Sequence, residues 1–168
     1  MDDERMTGSL RPVVARALLE AKSRGSATVE AEHLLLALAS DRRSSAAVIL
    51  EGDGLDHSAI ERALRNERAR SLAVVGVTLA TEQRLDSTPR DARPGLGASA
   101  REAFVHIRRT GGSGRGQRAA TDQRRHRLDE LDLLVGILSA ELGTVPRALL
   151  IAGIDRLALL ARVNGVTS

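Results

Sequence analysis

The stretch VEAEHLLLAL, Val29 to Leu38, puts apolar residues on every face of a helix, so the helix it predicts has no side to give to water. A second stretch of the same kind, LDELDLLVGI from Leu128 to Ile137, stands 99 residues further on. The register between them holds without a gap through Gly54 and Asp56 against Gly153 and Asp155. Over residues 30–56 against 129–155 six positions are identical, among them Leu34/Leu133, Leu35/Leu134, the helix-stop glycine and the aspartate after it. A duplicated helical unit is the first inference.

Upstream of the first stretch, Leu10, Val14, Ala17, Leu18 and Ala21 recur at helical spacing on one face, and Gly25 ends the pattern. Thr28 or Glu30 opens the buried helix, which runs out at Ser40 to Ser45. A short third helix spans Ala46 to Leu50 and stops at Gly54. Asp56 is placed to cap a fourth, lined by Ile60, Ala63 and Leu64 and continuing through RNERAR towards Val75. Residues 78–97 lose the periodicity and gain Pro89, Pro94, Gly95 and Gly97, which reads as a linker. Ser99 to Thr110 then repeats helix one at an offset of 86, with Ala103 on Ala17, Phe104 on Leu18 and Gly111 on Gly25. The difference between the two offsets, 13 residues, is an insertion within GGSGRGQRAATDQRRHR. The second buried helix follows, then a short one from Val145 to Ile151. The last starts at Asp155 and is expected to bury Leu157, Leu160 and Ala161.

These elements divide the chain into repeat one (9–77), linker (78–97) and repeat two (98–164), with the Arg/Gly-rich insertion at about 111–127. A unit of about 60 residues hides a smaller share of its surface than a domain twice that size. Two units packed face to face remove the deficit, so the expected fold is all-α: a pseudo-twofold domain of about eight helices.

Composition narrows the function. Phe104 is the one aromatic residue, which leaves almost nothing to stack on bases or sugars. The absence of cysteine removes disulfides, thiolate metal sites and cysteine nucleophiles together. No apolar run reaches the roughly 18 residues of a membrane span, and MDDERMTGS is too polar for a secretory signal, so a cytoplasmic protein is expected. The pI of about 10.7 suggests a nucleic-acid binder, yet the net charge is only +3. Of the 25 basic residues 24 are Arg, and no Tyr or Cys titrates below pH 10, so the pI overstates the field.

The string ERMT, five further residues, then VVARALLEAKSRGSATVEAEHLLLAL, with AAVILEGDGLD after it, resembles the amino-terminal repeat domain of Clp unfoldases of the ClpC and ClpA type. That domain carries two four-helix repeats, each marked by a Thr-Glu-His-Leu-Leu-Leu-like helix and a Leu-x-x-x-Gly-Val/Ile-Asp-like turn. The resemblance spans the chain and is closest in repeat one, where Glu32, His33 and Leu34 to Leu36 stand in register; in repeat two Leu131 and Asp132 replace the Glu-His pair. It implies a domain that brings substrates and adaptor proteins to an ATP-driven ring, and in some ClpC members binds phosphorylated arginine through acidic residues at the starts of the buried helices. No GxxxxGK[ST] phosphate loop occurs in the sequence, so a non-catalytic recruitment module, acting apart from the ATPase ring and without a cofactor, is expected.

The candidate ligand residues are Thr7, Glu32 and His33 in repeat one and Asp129, Glu130 and Asp132 in repeat two. Glu32 and His33 also have an ordinary reading, since first-turn carboxylates are favoured by free amides and the helix dipole and histidine often packs or caps. No His or Cys stands at metal spacing beside them, so no metal is expected. With Leu131 in the place of Glu32, a family-like site in repeat two is expected to be altered or lost. Arg115, Arg118, Arg124 and Arg125 belong to a stretch with seven Arg against one Asp between 108 and 127, either a solvated loop or a surface for phosphate or an acidic protein. The expected partners are proteins: Clp substrates, adaptors, unfoldase components or phosphoarginine peptides. A nucleic-acid regulator working through the Arg loop is the alternative.

Overall fold

The computed structural model describes residues 10–74, 76, 94–110 and 129–167. Within them the chain forms α1 (Arg11–Ser23), β1 (Thr28–Val29), α2 (Ala31–Ser40), α3 (Ser45–Gly52), α4 (His57–Val74), β2 (Gly95–Leu96), α5 (Ala98–Thr110), α6 (Glu130–Ser139), α7 (Thr144–Ile151) and α8 (Arg156–Thr167). Two four-helix repeats, α1 to α4 and α5 to α8, pack with pseudo-twofold symmetry.

The repetition shows most plainly in the turns. Each third helix ends at a left-handed glycine, Gly54 at φ 73° and Gly153 at φ 75°, where a side chain would be strained. Beyond it the Leu55 N–H bonds the Leu50 carbonyl at 2.8 Å, and the Ile154 N–H bonds that of Leu149 at 2.9 Å. Asp56 and Asp155 then cap α4 and α8, their Oδ1 atoms accepting the N–H of Ala59 at 2.7 Å and of Ala158 at 3.1 Å.

The helices α2 and α6 hold the centre. In α2 every residue from His33 to Ala39 is buried, and in α6 Leu133, Leu134, Ile137 and Leu138 are. α1 covers one flank of α2 and α5 the matching flank of α6, while α2 and α6 touch each other and each meets helices of the other repeat. One apolar cluster therefore runs from Leu10 to Val163 through both repeats.

Two features depart from the sequence expectation. Gly95 and Leu96, assigned to the linker, pair in parallel with Thr28 and Val29, and the Gly97 N–H bonds the Val29 carbonyl at 2.9 Å. The inward face of α8 carries Leu159 and Val163, both fully buried, with Leu160 partly buried beside them; Leu157 is 63% exposed and Ala161 is also exposed. Asp155 fixes where α8 begins, and its packing on α6 selects the i, i+4 pair that points inward.

Close approach of α5 to α6 depends on Gly136, where a Cβ would stand 2.5 Å from the Ala103 carbonyl oxygen and 2.9 Å from Ile107 Cγ1. Alanine gains up to about 1 kcal/mol of helix propensity over glycine, but overpacking against backbone costs about 1–3 kcal/mol. The second effect wins. Gly136→Ala is expected to lower the melting temperature by a few degrees, as followed by circular dichroism; an unchanged or higher value would show that the helices separate freely.

Candidate functional site at the starts of the buried helices

The two buried helices open with one geometry and different chemistry. At α2 the N-cap is Glu30, whose N–H donates to His33 Nδ1 at 2.9 Å. At α6 the N-cap is Asp129, whose N–H donates to Asp132 Oδ2 at 3.0 Å, while Asp129 Oδ1 accepts the Asp132 N–H at 2.9 Å. His33 and Asp132 are register equivalents, and both satisfy a backbone donor that the helix start would leave open. Because Nδ1 accepts, the hydrogen-bond network assigns the ring proton of His33 to Nε2. Burial, helped by the charge of Arg24, lowers its pKa to about 4, so the ring is neutral at pH 7.

Glu30 ties this start to the second repeat. Its carboxylate accepts from Thr28 Oγ1 at 2.9 Å, from the Ser99 N–H at 3.1 Å and from Ser99 Oγ at 2.6 Å, and Ser99 Oγ accepts the Ala31 N–H at 2.8 Å. Burial raises the pKa of Glu30, but these bonds outweigh it and leave the group below its ordinary value. Gly97 provides the room, since a Cβ there would fall 1.7 Å from Glu30 Oε1.

Glu32, two residues further along, is different. It is partly buried, and no side chain among the described residues hydrogen-bonds it or forms an ion pair with it. Its pKa is raised, first by burial and then by the carboxylates of Glu30 and Glu67, against a lowering from its backbone and from Arg68. Glu67, on α4, is 4% exposed, and its Oε1 accepts from Arg147 Nε and from Ser71 Oγ, each at 2.7 Å. Arg147 lies on α7, so this pair also joins the repeats.

Of the residues named from sequence, Glu32 and His33 thus stand together at one helix start and Asp129, Glu130 and Asp132 at the other. Asp129 and Asp132 engage their carboxylates in the cap, Glu130 is partly buried in the first turn, and Leu131 packs against the core. Thr7, Arg115, Arg118, Arg124 and Arg125 lie outside the described residues. Among the described residues no group of three His, Asp or Glu could hold a metal ion. Sequence reasoning missed Glu67, Arg147 and Ser99. Glu67 carried a signal, because Ile60, Ala63, Glu67 and Ser71 continue one helical face through a run that otherwise looks solvated.

The model of the Clp repeat (R) N-terminal domain matches residues 5–94. The chain belongs to this family. Among solved structures, the N-terminal domain of the caseinolytic protease associated chaperone ClpD from Arabidopsis thaliana superposes on this Clp repeat domain with a TM-score of 0.62 at 20% identity. The match covers 99% of this chain and 97% of that one, and it shows a shared fold. No curated protein matches the sequence.

The titrating groups of this Clp repeat domain give two predictions. The folded pKa of His33, about 4, lies below its ordinary 6.5. The unfolded chain therefore binds the extra proton first, and the stability this gives is complete above pH 6.5 and is lost as pH falls towards 4, by on the order of 2–3 kcal/mol. Glu20, Glu30 and Asp41, whose pKa values are lowered, lose theirs further down, while Glu32, whose pKa is raised, opposes the trend. In His33→Asn the slope of urea-derived stability between pH 6.5 and 4.5 should flatten; an unchanged slope would place the titration elsewhere. At pH 7 Glu32→Gln should raise the melting temperature, whereas an ordinary first-turn carboxylate would lose about 0.3–1 kcal/mol.

Proposed function

We propose that this Clp repeat domain is a non-catalytic protein- and peptide-binding module that recruits or sequesters substrates or adaptors of a Clp proteolytic system, arginine-phosphorylated proteins among them. The family and the fold support the general reading, and Glu32 carries the particular one. The other carboxylates of the two helix starts that are tied down serve as caps or as Glu30's bridge to Ser99. Glu32 is held partly buried beside two further carboxylates, at a cost to folding, with no cation hydrogen-bonded to it among the described residues. A guanidinium from a ligand would supply that cation through charge-assisted hydrogen bonds, worth roughly 1.5–3 kcal/mol. Repeat two has Leu131 at the equivalent position, so one such site per chain is expected.

Calorimetric titration with a phosphoarginine peptide tests this, with the unmodified arginine peptide as control. The expected result is one site per chain, weakened about tenfold or more in Glu32→Gln, equivalent to about 1.4 kcal/mol, while the melting temperature does not fall. Two equivalent sites, or a Glu32→Gln variant that binds like the wild type, would refute the assignment to Glu32. No binding by the wild-type protein would remove phosphoarginine from the proposal.

A further inference from the structure

The register of 99 residues continues through the fourth helices, where Ile60 and Leu159 are both buried below the matching Asp caps. The twofold therefore relates two seams between the repeats, one where α4 packs along α7 and a looser one where α8 meets the end of α3. The same positions carry exchanged chemistry on the two seams. On the first, Glu67 pairs with Arg147. Their equivalents on the second are Val166 and Val48, each 59% exposed. On the second seam Arg162 pairs with Asp53. Their equivalents on the first are Ala63, which is buried, and Ala152. Each seam holds one ion pair, and the positions equivalent to the other seam's pair are uncharged.

This exchange bears on which repeat can pack on which. Since the repeats share a fold, the arrangement that competes with repeat one on repeat two is repeat one on repeat one of a second copy, with repeat two on repeat two. A pair of first repeats would set Glu67 against Val48 and Asp53 against Ala63 on both seams. A pair of second repeats would set Arg147 against Val166 and Arg162 against Ala152. All four charges would lose their mates, and Glu67, nearly inaccessible in the native seam, would be buried with the Ser71 hydroxyl of its own helix but without a cation, a costly outcome for an ion. We propose that the Glu67–Arg147 and Asp53–Arg162 pairs are a pairing code that holds each chain's two repeats to one another and bars like-with-like exchange between copies.

The test moves one cation. Val48→Arg/Arg147→Val keeps composition and net charge but makes repeat one complementary to itself, with Glu67 facing the arginine introduced at position 48 of a second copy. Linkage favours same-chain pairing with an effective concentration of about 1 mM, so the proteins are unfolded and refolded near that concentration and sized by light scattering. The wild type should return as monomer, and so should Glu67→Arg/Arg147→Glu, which preserves pairing across repeats. The transfer variant should return with a substantial dimer fraction. Should it fail to refold, Glu67→Val/Arg147→Val decides, because it erases the code at that seam without burying a charge and should yield dimer above the wild-type level. Monomer alone from whichever variant refolds overturns the proposal, as does equal dimerisation of the wild type or of the charge-reversed protein.

Discussion

A helix that is apolar all the way round has to be enclosed, and the arrangement of this domain follows from enclosing two of them. Leu34 and Leu38 share one face of α2 while Leu35 and Leu36 point to others, and all four are buried. Helices of the first repeat reach only part of that circumference, and α5, α6 and α7 reach the rest. Burying a leucine is worth roughly 1.5–3 kcal/mol, so losing half of the burial of these four would cost roughly 3–6 kcal/mol. A domain has only about 5–15 kcal/mol in total. Neither repeat can therefore complete its centre without the other.

Enclosure also decides where the polar chemistry lies. The start of α2 lies against the second repeat, and the open N-terminal amides of both central helices need partners. The two starts meet the need in different ways, with a neutral histidine in one and an aspartate in the other, because what the position requires is an acceptor within reach of the N-cap N–H. Glu30 goes further and engages Ser99, so the same cap that begins α2 fastens α5 beside it. The parallel pairing of Thr28–Val29 with Gly95–Leu96 runs into this contact, and Gly97 keeps it open.

The helices were legible in the sequence because their signals are local. Periodicity, Gly25, Gly54 and Gly153 as stops, and Asp56 and Asp155 as caps each act within a few residues, and the offset of 99 let one repeat check the other. What the sequence did not disclose depends on residues far apart in the chain. Gly95 and Leu96 read as linker because a two-residue strand has no pattern of its own and exists through its partner. Leu157 read as core because its type suits the interior, while the packing of α8 on α6 turned Leu159 inward instead. At the site, the residues of the helix starts were named from the family resemblance, whereas Glu67 stood in a charged run and its mate Arg147 lies 80 residues away.

The same physics bears on why the repeats differ where they do. A carboxylate that is partly buried beside two others strains the fold, and a second copy at Leu131 would place another next to the carboxylates already gathered as Asp129, Glu130 and Asp132. Like charges at such spacing repel by an amount that grows as water is excluded. A second partly buried carboxylate would add to the cost that Glu32 already carries. A leucine at 131 removes the repulsion and adds apolar packing against the shared core. An asymmetric domain with a single strained acidic position is thus the more stable way to keep any such position at all.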